Sequence, residues 1–122
     1  MSDKSAVTIW HNPSCSTSRK TLALIREAGI EPTIVQYLKT PPSRAEIAAA
    51  IKKAGLTPRE AMRKKGPVYE ELGLKDPSLS DDALLDAMAA NPVLIERPFV
   101  FSKTGVRLAR PIDLVRDILP QR

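Results

Sequence analysis

The chain carries one cysteine, one histidine and few aromatic residues, 4% of its 122 positions. One cysteine excludes an internal disulfide and a cysteine-rich zinc site. One histidine excludes a His-cluster metal centre and a second histidine in a relay. The expectation is no metal and no tightly bound cofactor. So small an aromatic share is too little for the base-stacking surfaces of single-strand binders, and no DNA-recognition motif is present, so a nucleic-acid partner is not expected. No apolar run approaches the roughly 20 residues that span a bilayer. The first residues, Met1-Ser2-Asp3-Lys4-Ser5, lack the apolar stretch of a secretory signal, which predicts a cytoplasmic chain with no membrane partner. Whatever redox chemistry Cys15 performs, its partner thiol must come from another molecule.

What is present suits a single globular domain over 1–122: 43% hydrophobic and 27% charged residues, with enough length for one core. Nineteen basic residues against fourteen acidic ones give a formal charge of +5. That mild excess fits a solvated basic surface or a site for an anion. The longest basic block is Arg63-Lys64-Lys65.

Ala6-Val7-Thr8-Ile9-Trp10 reads as a short buried strand, ended by His11-Asn12-Pro13. Ser16 to Ala28 has a helical pattern, with Leu22, Leu24 and Ile25 apolar and Gly29 as its stop. Thr33 to Tyr37 is a second strand closed by Pro41-Pro42, and the three elements suggest a parallel βαβ unit. Ser43-Arg44-Ala45-Glu46 is a capping box opening a helix to about Ala54. Thr57-Pro58-Arg59-Glu60 is a second box, with Pro at the first helical position. Ser80-Asp81-Asp82 opens a further helix to Ala90. Residues 98–101 and 106–109 alternate around Lys103-Thr104-Gly105 as a hairpin, and Ile112 to Leu119 reads as a closing amphipathic helix. With the helical block at about 43–91 set aside, the order is that of a thioredoxin-type domain. The predicted fold is therefore α/β, thioredoxin/glutaredoxin-like, with a helical insertion between the βαβ unit and the β-hairpin.

Cys15 falls between the first strand and the first helix. Unpaired N–H groups and the helix dipole at a helix start favour the thiolate, which is the nucleophilic form. An inert buried cysteine is the alternative, but Ser14, Ser16, Thr17 and Ser18 are poor company for a core. His11 is either a cation near the sulfur or an ordinary loop histidine. Ser18 stands three residues after Cys15, where a redox pair has its second thiol; it can donate a hydrogen bond to the thiolate but cannot resolve a disulfide. Arg97-Pro98 at a strand start and Arg110-Pro111 at a strand end bring two guanidinium groups whose forks match paired oxygens, although each could simply be a solvated surface arginine.

The run His11-Asn12-Pro13-Ser14-Cys15-Ser16-Thr17-Ser18-Arg19 resembles the glutaredoxin-coupled arsenate reductase family, the ArsC type. Further matching segments follow in order: Glu31-Pro32-Thr33-Ile34, Tyr37-Leu38, Pro41-Pro42-Ser43-Arg44, Met62-Arg63-Lys64, Leu72-Gly73-Leu74, Arg97-Pro98, Arg110-Pro111 and Asp117-Ile118-Leu119-Pro120. The resemblance implies that Cys15 attacks arsenate to form a covalent thioester of arsenic. It implies that Arg63, Arg97 and Arg110 hold the oxyanion, that His11 lowers the thiol pKa, and that Ser18 lies near the sulfur. Pro98 matches the cis-proline of thioredoxin folds. Glutathione is the implied co-substrate and glutaredoxin the implied partner that releases arsenite by thiol exchange. Ala109 departs from members that carry a cysteine there. Two other readings stand beside this one: a Spx-like regulator that binds RNA polymerase, whose Cys-x-x-Cys switch Ser18 removes, and a glutathione-dependent thiol oxidoreductase with another substrate.

Overall fold

Parallel neighbouring strands need a crossover, and here a single helix supplies it. β1 (Thr8–Trp10) runs into α1 (Ser16–Glu27) and then into β2 (Thr33–Val35), which pairs with β1 in the register Thr8↔Thr33, Ile9↔Ile34 and Trp10↔Val35. The computed structural model describes residues 7–119. Ala6, expected to open the first strand, and Pro120 of the last matching motif lie outside the described residues.

β3 (Phe99–Phe101) pairs antiparallel with β1, and β4 (Val106–Leu108) antiparallel with β3, giving the order β2-β1-β3-β4. The β3–β4 turn is closed by the Ser102 N–H donating to the Gly105 carbonyl at 2.9 Å. This mixed sheet, a parallel unit followed by a hairpin, is thioredoxin-like, as the pattern of the sequence predicted.

Strand alternation divides the side chains between two faces. Ile9 and Val100 face one way and join Val7, Ile25, Ile30, Ala109, Val115 and Ile118 in a cluster whose members are at most 5% exposed. Leu22 and Leu24 of α1 pack at the edge of this cluster. On the other face Trp10 meets Phe99 and Phe101, with ring centroids 5.7 and 4.8 Å apart. Three of the chain's five aromatic residues are thus spent on one sheet face.

By internal contacts the chain forms two compact units, one of residues 1–40 and 97–122, the other of residues 41–96. In the second unit Ser43 caps α2 (Arg44–Lys53) with both bonds of a capping box, and Ser80 caps α4 (Asp81–Ala90). The two helices pack together, burying Ile47, Ala50 and Ile51 from α2 and Leu84, Leu85 and Met88 from α4.

Three elements differ from the sequence expectation. The Thr57 box forms, with Thr57 N–H donating to Glu60 Oε1 at 2.9 Å and Glu60 N–H to Thr57 Oγ1 at 3.2 Å, yet no helix follows. Met62 instead makes an isolated antiparallel bridge with Ile95, and the Arg63 N–H donates to the Leu94 carbonyl at 2.7 Å. Ala61 and Met62 are buried in this turn, at 0 and 1% exposed, and the bridge takes the chain where a helix would have continued. A short helix unforeseen from pattern, α3 (Pro67–Glu71), starts at Gly66, whose φ of +100° is open to glycine alone at little cost. The closing segment is a 3-10 helix, Ile112–Ile118, not an α-helix. Its apolar residues Ile112, Val115 and Ile118 recur every third position, the spacing that a 3-10 helix aligns on one edge.

Candidate active site

The loop after β1 is fixed by hydrogen bonds at each step. The His11 N–H continues the parallel ladder by donating to the Val35 carbonyl at 2.8 Å. Asn12 Oδ1 accepts from the Ser14 N–H at 2.9 Å, the side-chain turn that Asn before Pro commonly makes. The Asn12 carbonyl accepts from the Cys15 N–H at 3.0 Å, and Arg19 Nη1 donates to the Pro13 carbonyl at 2.8 Å. These bonds deliver Cys15 in extended conformation (φ −98°, ψ 123°) as the N-cap of α1.

An N-cap side chain faces the N–H groups two and three residues ahead, here those of Thr17 and Ser18. The neutral thiol, a weak acceptor, makes no capping hydrogen bond of normal geometry. Its negative form is what these donors favour. Partial burial pushes the Cys15 pKa up, but the Ser18 N–H, the charge and hydrogen bond of Arg97, and the Thr17 N–H together outweigh it and leave the pKa below the ordinary thiol value. Cys15 is half-buried, so the sulfur remains open to a reactant.

Ser18 is fully buried, and its hydroxyl turns to the loop: Oγ accepts from the Asn12 N–H at 3.0 Å and lies 2.6 Å from His11 Nδ1. Its support of the sulfur comes through its main-chain N–H. Burial lowers the pKa of His11, and the charges of Arg26 and Arg19 lower it further. His11 is therefore neutral near pH 7, and of the two readings of this residue the cation beside the sulfur is the one that its surroundings oppose.

Arg97 is 8% exposed, and its charge and side-chain hydrogen bond lower the Cys15 pKa. The Arg97–Pro98 and Arg110–Pro111 peptide bonds are both cis. The Ala109 N–H donates to the Pro98 carbonyl at 3.0 Å, and Arg110 Nε donates to the Arg97 carbonyl at 3.0 Å, so the two Arg-Pro corners are tied together. Ala109, where some family members carry cysteine, is fully buried. The first unit thus brings Cys15, Ser18, His11, Arg97 and Arg110 into one neighbourhood. Arg63 belongs to the second unit, half-buried beside the Met62–Ile95 bridge. Among the described residues no group of three or more His, Cys, Asp or Glu side chains is arranged to hold a metal, and no helix is long and apolar enough to cross a membrane.

Asn12, Thr17 and Thr21 were not singled out from the sequence. Thr17 was available as the second residue after an N-cap cysteine. Thr21 is fully buried, with Oγ1 donating to the Thr17 carbonyl at 2.8 Å.

The fold and the site define a thioredoxin-like protein whose lone thiol caps the first helix with an arginine beside it. The sequence profile of the ArsC family matches residues 10–118. An arsenate reductase of Rhizobium meliloti (strain 1021) is 64% identical over 114 residues, covering 93% of this chain and 81% of the relative. One from Escherichia coli is 50% identical over 116 residues, covering 95% and 82%. The solved structure of an arsenate reductase from Vibrio cholerae overlays with a TM-score of 0.88 at 48% identity, covering 93% of this chain and 97% of that one. The chain belongs to the ArsC family.

Proposed function

We propose that Cys15 is the nucleophile in the reduction of arsenate to arsenite. The observation that carries this reading is Cys15 at the N-cap of α1, its pKa held below the ordinary thiol value by helix N–H groups and Arg97. The likeness to arsenate reductases over nearly the whole chain supports the substrate. Arsenate is a multiply charged anion, and a thiolate approaches it only where fixed cations offset the repulsion. Arg97 and Arg110 take that role, and Arg63 is assigned to the oxyanion from its place in the family motif. Attack forms the S–As bond and expels an arsenate oxygen as water. Glutathione then displaces a second arsenic-bound oxygen as water, and the thiol of glutaredoxin attacks the glutathione sulfur, leaving its electrons on arsenic. Two electrons from these two thiols reduce As(V) to As(III). Glutathione leaves as its mixed disulfide with glutaredoxin, and hydrolysis of the Cys15–As bond frees arsenite. His11 and Ser18 hold the loop that carries the sulfur. No bound cofactor enters this scheme, and glutathione-rich cytoplasm is its setting.

The test is NADPH consumption coupled through glutathione reductase, with arsenate, glutathione and glutaredoxin present. Turnover is expected to require arsenate and to vanish in Cys15→Ser, and replacing Arg63, Arg97 or Arg110 is expected to raise the KM for arsenate. Undiminished turnover in Cys15→Ser would overturn the assignment.

A further inference from the structure

We propose that Thr21 is a positioning residue for Cys15, its buried hydroxyl polarising the Thr17–Ser18 peptide so that the Ser18 N–H is a stronger donor toward the sulfur. The carbonyl of Thr17 and the N–H of Ser18 belong to one peptide group. Thr21 Oγ1 donates to that carbonyl at 2.8 Å. As a helical residue four places on, Thr21 also directs its own N–H to the same oxygen. The oxygen therefore accepts two bonds from one residue, and electron density drawn to it leaves the attached N–H more positive. Hydrogen bonds linked in this way strengthen one another by roughly 10–30%.

The far end of the relay is Cys15. The Ser18 N–H is at the third position of α1, one of the two that an N-cap side chain faces. It is also among the groups that lower the Cys15 pKa. A threonine bonding back along a helix is common on surfaces, where water competes for both partners. Here Thr21 is 0% exposed, so that competition is absent. The buried side of α1 carries Ser18 and Thr21 before Ile25, and two polar residues where a helix normally packs apolar ones indicate a use beyond packing.

This inference rests on Cys15 acting as a thiolate, and it is tested without arsenate. The rate of alkylation by iodoacetamide is measured against pH in the full chain, where the single cysteine makes labelling unambiguous. Thr21→Val keeps the branched shape and removes the hydroxyl. Its thiol is expected to titrate at higher pH, lowering the alkylation rate about twofold below the wild-type midpoint, with equal rates once both thiols are fully ionised. Thr21→Ser is expected to restore the wild-type curve. Thr21→Ala, which adds no apolar bulk, is expected to match the valine variant. A valine curve superimposed on wild type, or a serine variant shifted as far as valine, would overturn the proposal. Loss of the arsenate reading alone would leave these titrations unchanged.

Discussion

Around Cys15 three hydrogen-bonding side chains lie inside the first unit: His11, Ser18 and Thr21 are buried, and each has a partner; Asn12 and Arg19 add bonds to the loop nearer the surface. In the second unit the ion pairs lie outside. Arg44 on α2 reaches Asp82 at 3.1 Å and Asp86 at 2.6 Å on α4, with Arg44 partly and both aspartates largely in solvent. A buried polar group is costly once its partner is lost, whereas an exposed pair competes with water and contributes little. The first unit therefore holds its loop in part by buried bonds that are costly to lose. The second is held by the apolar residues of α2 and α4, and its surface charges are expendable.

Three experiments can break or sharpen this contrast. The largest effect is expected from Ser18→Ala, which leaves His11 Nδ1 and the Asn12 N–H unsatisfied. Urea denaturation should show a loss of about 2 kcal/mol. A smaller effect comes from His11 and pH. The unfolded chain takes up a proton near the ordinary value of 6.5, while the folded chain does so only at lower pH. Between those values the unfolded state binds more protons, so stability falls as pH falls. His11→Asn should flatten that part of the stability curve measured by thermal melts, and an unchanged slope would show that His11 is not held neutral. The smallest effect is expected from Arg44→Ala, whose melting midpoint should stay within experimental error. A drop as large as that of Ser18→Ala would remove the distinction between the units.

The two capping boxes show how far local signals carry. Both are readable as Ser or Thr followed by Glu three residues on, and both form their reciprocal bonds. Only the first leads into a helix, because Met62 pairs with Ile95, more than thirty residues away in sequence, and such pairing leaves no local trace. The sheet was legible for the opposite reason: strands of alternating or continuous apolar residues bounded by Pro and Gly need no distant partner to be noticed. In the site, Cys15 and the Arg-Pro corners stood out by residue type. Ser18's buried hydroxyl and Thr21 did not, since hydrophobic periodicity marks the inner side of α1 by Leu22, Leu24 and Ile25 and passes over the polar residues beside them.

The single sulfur at the start of α1 has an electrochemical consequence. A protein with two neighbouring thiols owns a dithiol–disulfide couple and a reduction potential that its fold can tune. This chain owns none. A mixed disulfide or sulfenic acid at Cys15 persists until an outside thiol removes it, so the active fraction is set by the surrounding thiol pool and not by the protein.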